Sequence, residues 1–231
     1  MRLLITALAL LLTTTTITAQ QAGKYRTHSL LFKDNFKNGL DSTTWIAEVA
    51  PVPNSRVYVE NGRLILDTKG GVTVWLNKLL SGNVSIEYTR RVLTTGKPND
   101  RLSDLNQFWM AKDPRNSHLF TRSGVLEEYD SLQLYYVGMG GNTNSTTRFR
   151  KYEGNGERKL LQEYKDTAHL LTKDKVYRIR IIVKDGVTSY WVNGEQYFSY
   201  ADPSLLKEGY FGFRSTWSRQ EISNVRIYQL H

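Results

Sequence analysis

Short stretches in which hydrophobic and polar residues alternate recur along the chain and predict β-strands. They are rich in Val, Ile, Tyr, Phe and Trp and are interrupted by Gly, Asn, Asp and Pro, and helical periodicity is weak. In residues 177–183 the odd-numbered residues are apolar and share one face, whereas Arg178, Arg180 and Ile182 share the other. We therefore expect one buried and one exposed face. The strands predicted in this way are residues 29–32, 56–60, 63–67, 72–76, 82–91, 106–111, 124–129, 133–137, 147–152, 177–184, 188–192, 195–200, 209–214 and 222–228.

Tight turns separate several of these strands. Asn61-Gly62 and Asn193-Gly194 each stand between two predicted strands, as a two-residue turn with positive φ requires, and Asp185-Gly186 joins two more. About a dozen strands connected in this way favour two packed antiparallel sheets. The fold class predicted from the sequence is therefore all-β, a two-sheet antiparallel β-sandwich or jelly roll.

The N-terminal residues are typical of a targeting segment. Arg2 precedes an apolar run from Leu3 to Leu12, and small residues lead to Ala19. We interpret residues 1–19 as a signal peptide and residues 20–231 as a single domain, which predicts a secreted or periplasmic protein. The alternative is an N-terminal membrane anchor, but the apolar run is short for a stable span.

Composition narrows the possible chemistry. The 231-residue chain has no cysteine, which excludes disulfides, thiolate zinc sites and cysteine nucleophiles. Its net charge of +9 suggests a polyanionic partner. Export and the lack of a recognisable nucleic-acid motif argue against nucleic acid as that partner. The four histidines show no metal-ligand spacing, so a catalytic zinc site is not expected.

Several segments resemble those of the concanavalin A-like lectin and glucanase jelly rolls. They are residues 31–36 with Trp45, the hairpins at 61–64 and 190–194, and the closing segments 209–214 and 222–228. The middle blocks, residues 99–110 and 135–150, resemble an exported family from polysaccharide-degrading bacteria, domain-of-unknown-function 6250. The resemblance implies a jelly roll with a role toward carbohydrate, and fold alone does not supply the reaction.

In such a jelly roll, sugars usually lie on the concave sheet, and two arginines are candidates to line it. In residues 147–152, Arg148 and Arg150 project to one side with Tyr152, whereas Phe149 and Lys151 project to the other. Guanidinium groups bind carboxylate or sulfate with a planar fork. The alternative is a solvated strand face with cross-strand ion pairs.

The loop before this strand is rich in Gly, Asn, Ser and Thr. Its Asn142 and Asn144 amides suit sugar hydroxyls, although the loop can equally be an ordinary connection. In the block at 99–109, Asp100, Arg101, Asp104 and Asn106 are candidates for a salt-bridge network or a calcium site, and the last three are also candidates for substrate contact. Trp109 is a candidate for stacking on a sugar or for the core. Arg214 completes the candidate substrate-binding set.

Glycoside hydrolysis would need two carboxylates beside the scissile bond. Glu128 and Asp130 are two residues apart and are expected on one side of a strand. Their spacing partly resembles the Glu-x-Asp-x-x-Glu signature of jelly-roll glucanases. Gln133 occupies the third acidic position and cannot act as the general acid, which places that mechanism in doubt.

β-Elimination from a uronic acid needs a carboxylate neutraliser, a base and an acid. The proton-transfer candidates are Tyr135, Tyr136 and His118, and the neutralising groups are Arg148 or Arg150 with Asn142 or Asn144. Because Tyr135 and Tyr136 face opposite sides of one strand, at most one of them can serve.

Together these features predict an exported protein that cleaves glycosidic bonds in acidic polysaccharide or its oligosaccharides, as a lyase or a hydrolase. The alternative function is a non-catalytic carbohydrate-binding domain. No cofactor is expected, with a structural calcium ion as the one possibility, and no stable membrane insertion is expected.

Overall fold

The computed structural model describes residues 27–231, so the predicted signal peptide lies outside the described residues. The first eight strands are β1 (Thr27–Asp34), β2 (Trp45–Val49), β3 (Arg56–Glu60), β4 (Arg63–Thr68), β5 (Val72–Leu76), β6 (Leu80–Ser81), β7 (Val84–Leu93) and β8 (Leu105–Lys112). The other eight are β9 (Gln133–Gly140), β10 (Thr146–Glu153), β11 (Arg158–Tyr164), β12 (Tyr177–Lys184), β13 (Val187–Val192), β14 (Glu195–Ala201), β15 (Glu208–Ser215) and β16 (Ser218–Leu230). One helical turn, α1 (Gly141–Asn144), and two 3₁₀-helices, Leu126–Ser131 and Thr167–His169, interrupt them.

The strands form two eight-stranded antiparallel sheets. The back sheet has the order β14-β13-β12-β7-β16-β4-β3, and β1 also pairs with β16. The front sheet has the order β11-β10-β9-β8-β15-β5-β2, and β6 also pairs with β15. This two-sheet sandwich confirms the predicted jelly-roll class.

Alternate residues of both sheets point inward and form the main core. In the front sheet, Trp109 stacks on Phe149 at 5.6 Å and Trp45 stacks on Phe213 at 5.6 Å between ring centroids. Large buried aromatic rings dominate such cores because each removes much apolar surface from water. A second apolar cluster, which includes Trp75 and Tyr129, lies on the opposite, outer face of the front sheet, beneath residues 113–131.

The predicted turns are present with the expected backbone. Asn61 and Gly62 have φ of 51° and 67°, and Asn193 and Gly194 have φ of 53° and 91°. Asn and Gly tolerate this left-handed region, which two-residue hairpins of right-twisted strands require. Local turn chemistry therefore sets these two hairpins.

Three differences from the sequence prediction concern segments with little alternation. The strand predicted at 124–129 is wrong, because Leu126–Ser131 forms a 3₁₀-helix. Strands β2 and β6 were not predicted, and β6 has only two residues. Strand β11 was also missed, because it is a largely exposed edge strand with charged residues on both faces. Among residues 27–231, no helix is both long and apolar enough to cross a membrane.

Candidate functional site

A cleft of about 400 Å³ lies on the outer face of the front sheet, over strands β8, β9 and β10. Two rows of cross-strand neighbours form its floor. Asn106, Gly138 and Arg148 are opposite one another in the first row, and Tyr136 and Arg150 are opposite one another in the second. Because strand residues alternate between faces, each of these side chains points away from the core.

Gly138 keeps the middle of this floor open. A Cβ atom at this position would lie 2.2 Å from the Tyr136 hydroxyl oxygen and 3.0 Å from Asn106 Oδ1. Real Cβ atoms do not approach other atoms so closely, so a side chain here would displace the phenol. The glycine is therefore needed for space, and it leaves the Tyr136 hydroxyl facing the cleft.

Several buried polar atoms in and beside the cleft have no hydrogen-bond partner within the described residues. They are Asn106 Oδ1, Thr146 Oγ1, Arg150 Nε and Tyr152 Oη. Buried side-chain polar atoms in native proteins nearly always have a partner, and an unpaired atom needs an explanation such as a ligand or a bound water. Four such atoms cluster in and beside this cleft, which makes it a candidate site for a polar ligand.

The charge of the cleft is strongly positive. Arg101, Arg148, Arg150 and Arg158 line it, whereas Asp104 is the single carboxylate among its described lining residues. Arg148 pairs with Glu163, and Arg101 pairs with Asp104 at 3.3 Å.

Arg158 forms a bidentate salt bridge with Asp130, with Nε–Oδ1 and Nη2–Oδ2 distances of 2.6 and 2.8 Å. Arg150 differs, because it forms no ion pair with any residue in the described part of the chain. Arg150 is thus the lining cation that is free to meet an anion.

Arg214 adds a buried cation beneath the cleft. It is fully buried, and its Nη1 donates to Thr73 Oγ1 at 3.0 Å and to the Gly124 carbonyl at 2.9 Å. Its guanidinium lies 4.9 Å from the Tyr129 ring centroid, while Nε and Nη2 have no partner among residues 27–231. Burial lowers the pKa of Arg214 because it disfavours the charged form. Arg214 is a predicted substrate-binding residue, but it lies beneath the cleft lining rather than within it.

Two titratable groups in the cleft have raised pKa values. Burial raises the pKa of Tyr136 above the ordinary tyrosine value, at which the phenol is already neutral at pH 7. Burial also raises the pKa of Asp104, against the opposing effects of the Trp217 N–H at 3.1 Å and the Arg101 charge. A carboxylate with a raised pKa is a stronger base, and a neutral phenol is a proton donor.

A left-handed turn forms one wall of the cleft. Asn142, Thr143 and Asn144 have φ of 51°, 58° and 58°, a conformation that is strained for a β-branched residue such as Thr143. The Asn144 amide is held by the backbone of Leu171 through bonds of 2.8 and 2.9 Å. Thr143 Oγ1 accepts from Arg101 Nη2 at 2.7 Å. Asn142 therefore lines the cleft, whereas Asn144 holds the turn in place.

Trp109 and Tyr135 lie on the core side of the front sheet. Trp109 is fully buried and its indole N–H donates to Thr188 Oγ1 at 2.9 Å, so the stacking role considered for it is wrong. The Tyr135 hydroxyl bonds to Asp202, which also pairs with Lys151 at 2.8 Å. Of the two candidate tyrosines, Tyr136 alone faces the cleft.

The remaining candidates lie outside the cleft lining. His118 is exposed on the loop of residues 113–125 and packs edge-on against Phe120. Glu128 accepts from the Ser123 N–H at 2.6 Å, and Asp130 reaches the cleft only through Arg158. The expectation that Glu128 and Asp130 point to one side of a strand is wrong, because both lie in the 3₁₀-helix.

Sequence reasoning missed four features of the cleft: Arg158, Thr146, the unpaired hydroxyl of Tyr152 and the space above Gly138. The Tyr152 side chain shares a strand face with Arg150, which was the available signal. Arg158 lies on the missed strand β11, so no local pattern pointed to it.

The acidic residues considered for calcium are engaged with arginines. Asp100 accepts from Arg219 Nε at 2.7 Å, and Asp104 pairs with Arg101. Over residues 27–231, no group of three or more His, Cys, Asp or Glu residues is placed to hold a metal ion.

Comparison with known proteins gives one family match and a common fold. The family model described as a domain of unknown function (DUF6250) matches residues 66–225, and no curated protein matches the sequence. A Bacillus subtilis protein of unknown function with a galectin-like fold superposes with a TM-score of 0.73 at 17% identity. The superposition covers 89% of this chain and 98% of that protein.

Two further structures are similar at lower scores. Carbohydrate-binding module CBM66 from Bacillus subtilis has a TM-score of 0.57 at 14% identity, covering 81% of this chain and 96% of the module. An endo-β-1,3-glucanase from Pyrococcus furiosus has a TM-score of 0.62 at 12% identity, covering 87% and 94%. At these identities the likeness establishes the jelly-roll fold and nothing about the reaction.

Proposed function

The chain belongs to the family described as a domain of unknown function (DUF6250), and from this premise we propose that it is an exported protein that binds acidic glycans in the cleft and cleaves them by β-elimination. Export rests on the apolar run at Leu3–Leu12. A role toward carbohydrate draws support from the glucanase and the carbohydrate-binding module that share the fold.

The observation that carries the proposal is the unpaired Arg150 in an arginine-lined cleft. Its Nε is buried without a partner, and other unpaired polar atoms lie around it in the same cleft. A desolvated guanidinium gains most from an anion that it can bind through two parallel hydrogen bonds. A uronate carboxylate supplies that anion, and sugar hydroxyls satisfy Asn106 and Thr146.

The proposed reaction uses Asp104 and Tyr136. Asp104 takes the proton from the ring carbon next to the uronate carboxylate, and the electrons of that C–H bond form a carbon–carbon double bond. The bond to the glycosidic oxygen breaks, and the neutral Tyr136 phenol gives its proton to that oxygen. Arg150 stabilises the charge that develops on the carboxylate. Proton exchange with water then restores both side chains.

Hydrolysis is less consistent with the cleft. A two-carboxylate mechanism needs an acid and a second carboxylate flanking the bond. Asp104 is the only carboxylate among the described lining residues, and Glu128 and Asp130 are engaged elsewhere. The second candidate function, non-catalytic binding, needs only the arginines and the unpaired polar atoms, and it is favoured by the fold shared with the binding module.

Tyr136→Phe tests the reaction, with Tyr135→Phe as the matched control on the same strand. Purified protein is incubated with uronate-bearing and neutral polysaccharides, and unsaturated uronate is followed by ultraviolet absorbance. We expect Tyr136→Phe to lower turnover about 100-fold, because the leaving oxygen loses its proton donor. Tyr135→Phe should retain turnover, because its hydroxyl faces the core.

Two outcomes count against elimination, and a third counts against the role of Tyr136. Reducing ends without the new absorbance would indicate hydrolysis, and retention without products would indicate the binding function. Equal turnover in Tyr136→Phe and the wild type would remove Tyr136 from the mechanism.

A further inference from the structure

We propose a second glycan-binding site on the outer face of the back sheet, specific for anionic polysaccharide and centred on Trp191. A groove of about 460 Å³ lies there, on the opposite side of the sandwich from the cleft. This proposal does not depend on the reaction in the cleft, because the two sites share no residues.

The groove is built on one row of cross-strand neighbours. Trp191 on β13 is opposite Arg180 on β12, Arg180 is opposite Glu87 on β7, and Glu87 is opposite Arg226 on β16. Adjacent strands lie about 4.8 Å apart, so the row spans roughly 14 Å of flat surface. An extended polymer fits such a row better than a compact small molecule does.

The row has an apolar platform at one end. Ile182 is only 3% exposed although it points to the outer face, and it lines the groove together with the partly exposed Trp191. The indole N–H donates to Ser189 Oγ at 2.9 Å, which fixes the ring orientation. Sugar rings stack on aromatic rings that combine an apolar face with a polar edge.

Charge along the groove favours an anion. Glu87 pairs with Arg180 at 3.1 Å, so this acidic group is already engaged. Arg178 and Arg226 are exposed and form no ion pair with any described residue, although Arg226 is opposite Glu87 in the strand ladder. Two cations without carboxylate partners beside an aromatic platform match a glycan that carries carboxylate or sulfate groups.

The ends of the groove are held by fixed backbone. The Asn193 N–H donates to the Arg178 carbonyl at 2.8 Å, and the Arg178 N–H donates to Asn193 Oδ1 at 2.9 Å. At the other end, Asn224 has φ of 55° within an irregularity between Ser223 and Arg226. Bulges of this kind change the direction of neighbouring side chains and are common beside functional sites. The side chains of the groove therefore project from a rigid frame.

Affinity electrophoresis through gels that contain polygalacturonate or dextran sulfate tests the site. We expect Trp191→Ala and the double variant Arg178→Gln/Arg226→Gln each to weaken retention at least about fivefold. Lys78→Gln/Lys207→Gln removes the same charge from exposed lysines that line neither the groove nor the cleft, and it should change retention less than about twofold. Thermal unfolding checks that each variant is folded, and Trp191→Phe supplies a version that keeps the platform and should retain most of the binding.

The pattern of losses decides the proposal. Equal losses in the lysine double variant would show non-specific charge attraction and overturn it. Unchanged retention in Trp191→Ala, with retention lost in Arg150→Met, would assign all binding to the cleft and also overturn it. Retention lost at Trp191 but kept in Arg150→Met supports the second site even if the cleft has no activity. Equal retention on neutral laminarin gels would contradict the requirement for an anion.

Discussion

The two halves of the outer face of the front sheet differ in whether their buried polar groups have hydrogen-bond partners within the protein. In the half covered by residues 113–131, Glu48 accepts three hydrogen bonds of 2.7 Å, from Trp75 Nε1, the Tyr129 hydroxyl and the Arg122 N–H. In the open half, Asn106 Oδ1 and Arg150 Nε are equally buried but have no partner among the described residues.

The difference separates groups that stabilise the fold from groups suited to a ligand. A buried polar atom costs free energy unless it is hydrogen-bonded, so the covered half gains stability from each satisfied bond. In the open half, such atoms have no partner among the described residues, so their hydrogen bonds are left to water or to a ligand. Substitutions in the two halves should therefore affect different properties.

Glu48→Gln should have the largest effect on stability. The substitution replaces a carboxylate oxygen with an NH₂ group that cannot accept, and leaves buried donors unsatisfied. We expect a loss of about 3 kcal/mol, measured as a lower denaturant midpoint in urea unfolding. Arg150→Met is the counterpart in the open half and should change stability by less than about 1 kcal/mol, because the guanidinium that it removes forms no ion pair with a described residue and its Nε has no partner there. If Glu48→Gln and Arg150→Met shifted the denaturant midpoint by similar amounts, the two halves would not differ in their contribution to stability.

Asp113→Asn should have a smaller effect that depends on pH. Asp113 accepts from Arg122 Nη2 at 2.6 Å in the covered half. Burial alone would raise the pKa of Asp113, but the bonds from Arg122 and from the Arg115 N–H outweigh it and lower the pKa. The wild type should be about 2 kcal/mol more stable than the variant at pH 7. Because the folded pKa is lowered, this advantage is complete above the ordinary aspartate pKa and is lost as pH falls through the folded pKa. Unfolding free energies at several pH values measure it, and a constant difference down to strongly acidic pH would contradict the assignment.

Asp104→Asn should have the smallest effect on stability, with the opposite sign. Burial raises the pKa of Asp104 in the open half, so ionisation costs stability. That cost is absent below the ordinary aspartate pKa and complete above the raised folded pKa. The variant should match the wild type or exceed it by less than about 1 kcal/mol at pH 7, since the amide oxygen can still accept from the Trp217 N–H. Any gain should vanish in acid, and a clear loss of stability at pH 7 would show that Asp104 belongs with the structural carboxylates.

Much of the fold was predictable because its signals are local. Alternation along Tyr177–Lys184 and the Asn-Gly turns identify strands and hairpins without knowledge of their partners. The same local rule placed Arg148 and Arg150 on one face of β10. It could not identify the strand at Arg158–Tyr164, whose residues gain their pattern only from pairing with β10.

The site was less predictable because it depends on which face of each strand meets the other sheet. Tyr135 and Tyr136 are neighbours that point to opposite faces of β9. The back sheet packs on the face that carries Tyr135, so Tyr135 is buried in the core. Asp104 and Arg158 join the cleft from segments that are distant in sequence. Such convergence follows from topology, which no short-range pattern encodes.

The left-handed turn at Asn142–Asn144 makes the shape of the cleft depend on residues that touch no ligand. Each non-glycine residue in this conformation costs roughly 1–2 kcal/mol. The turn is therefore stable only because contacts with other segments compensate for that cost. The main ones are the two hydrogen bonds between the Asn144 amide and the backbone of Leu171. A substitution that displaces the backbone of Leu171 would allow the turn to adopt an unstrained conformation, and Asn142 would then move out of the cleft. The shape of the cleft thus depends on the hydrogen bonds between Asn144 and Leu171, although neither residue lines the cleft.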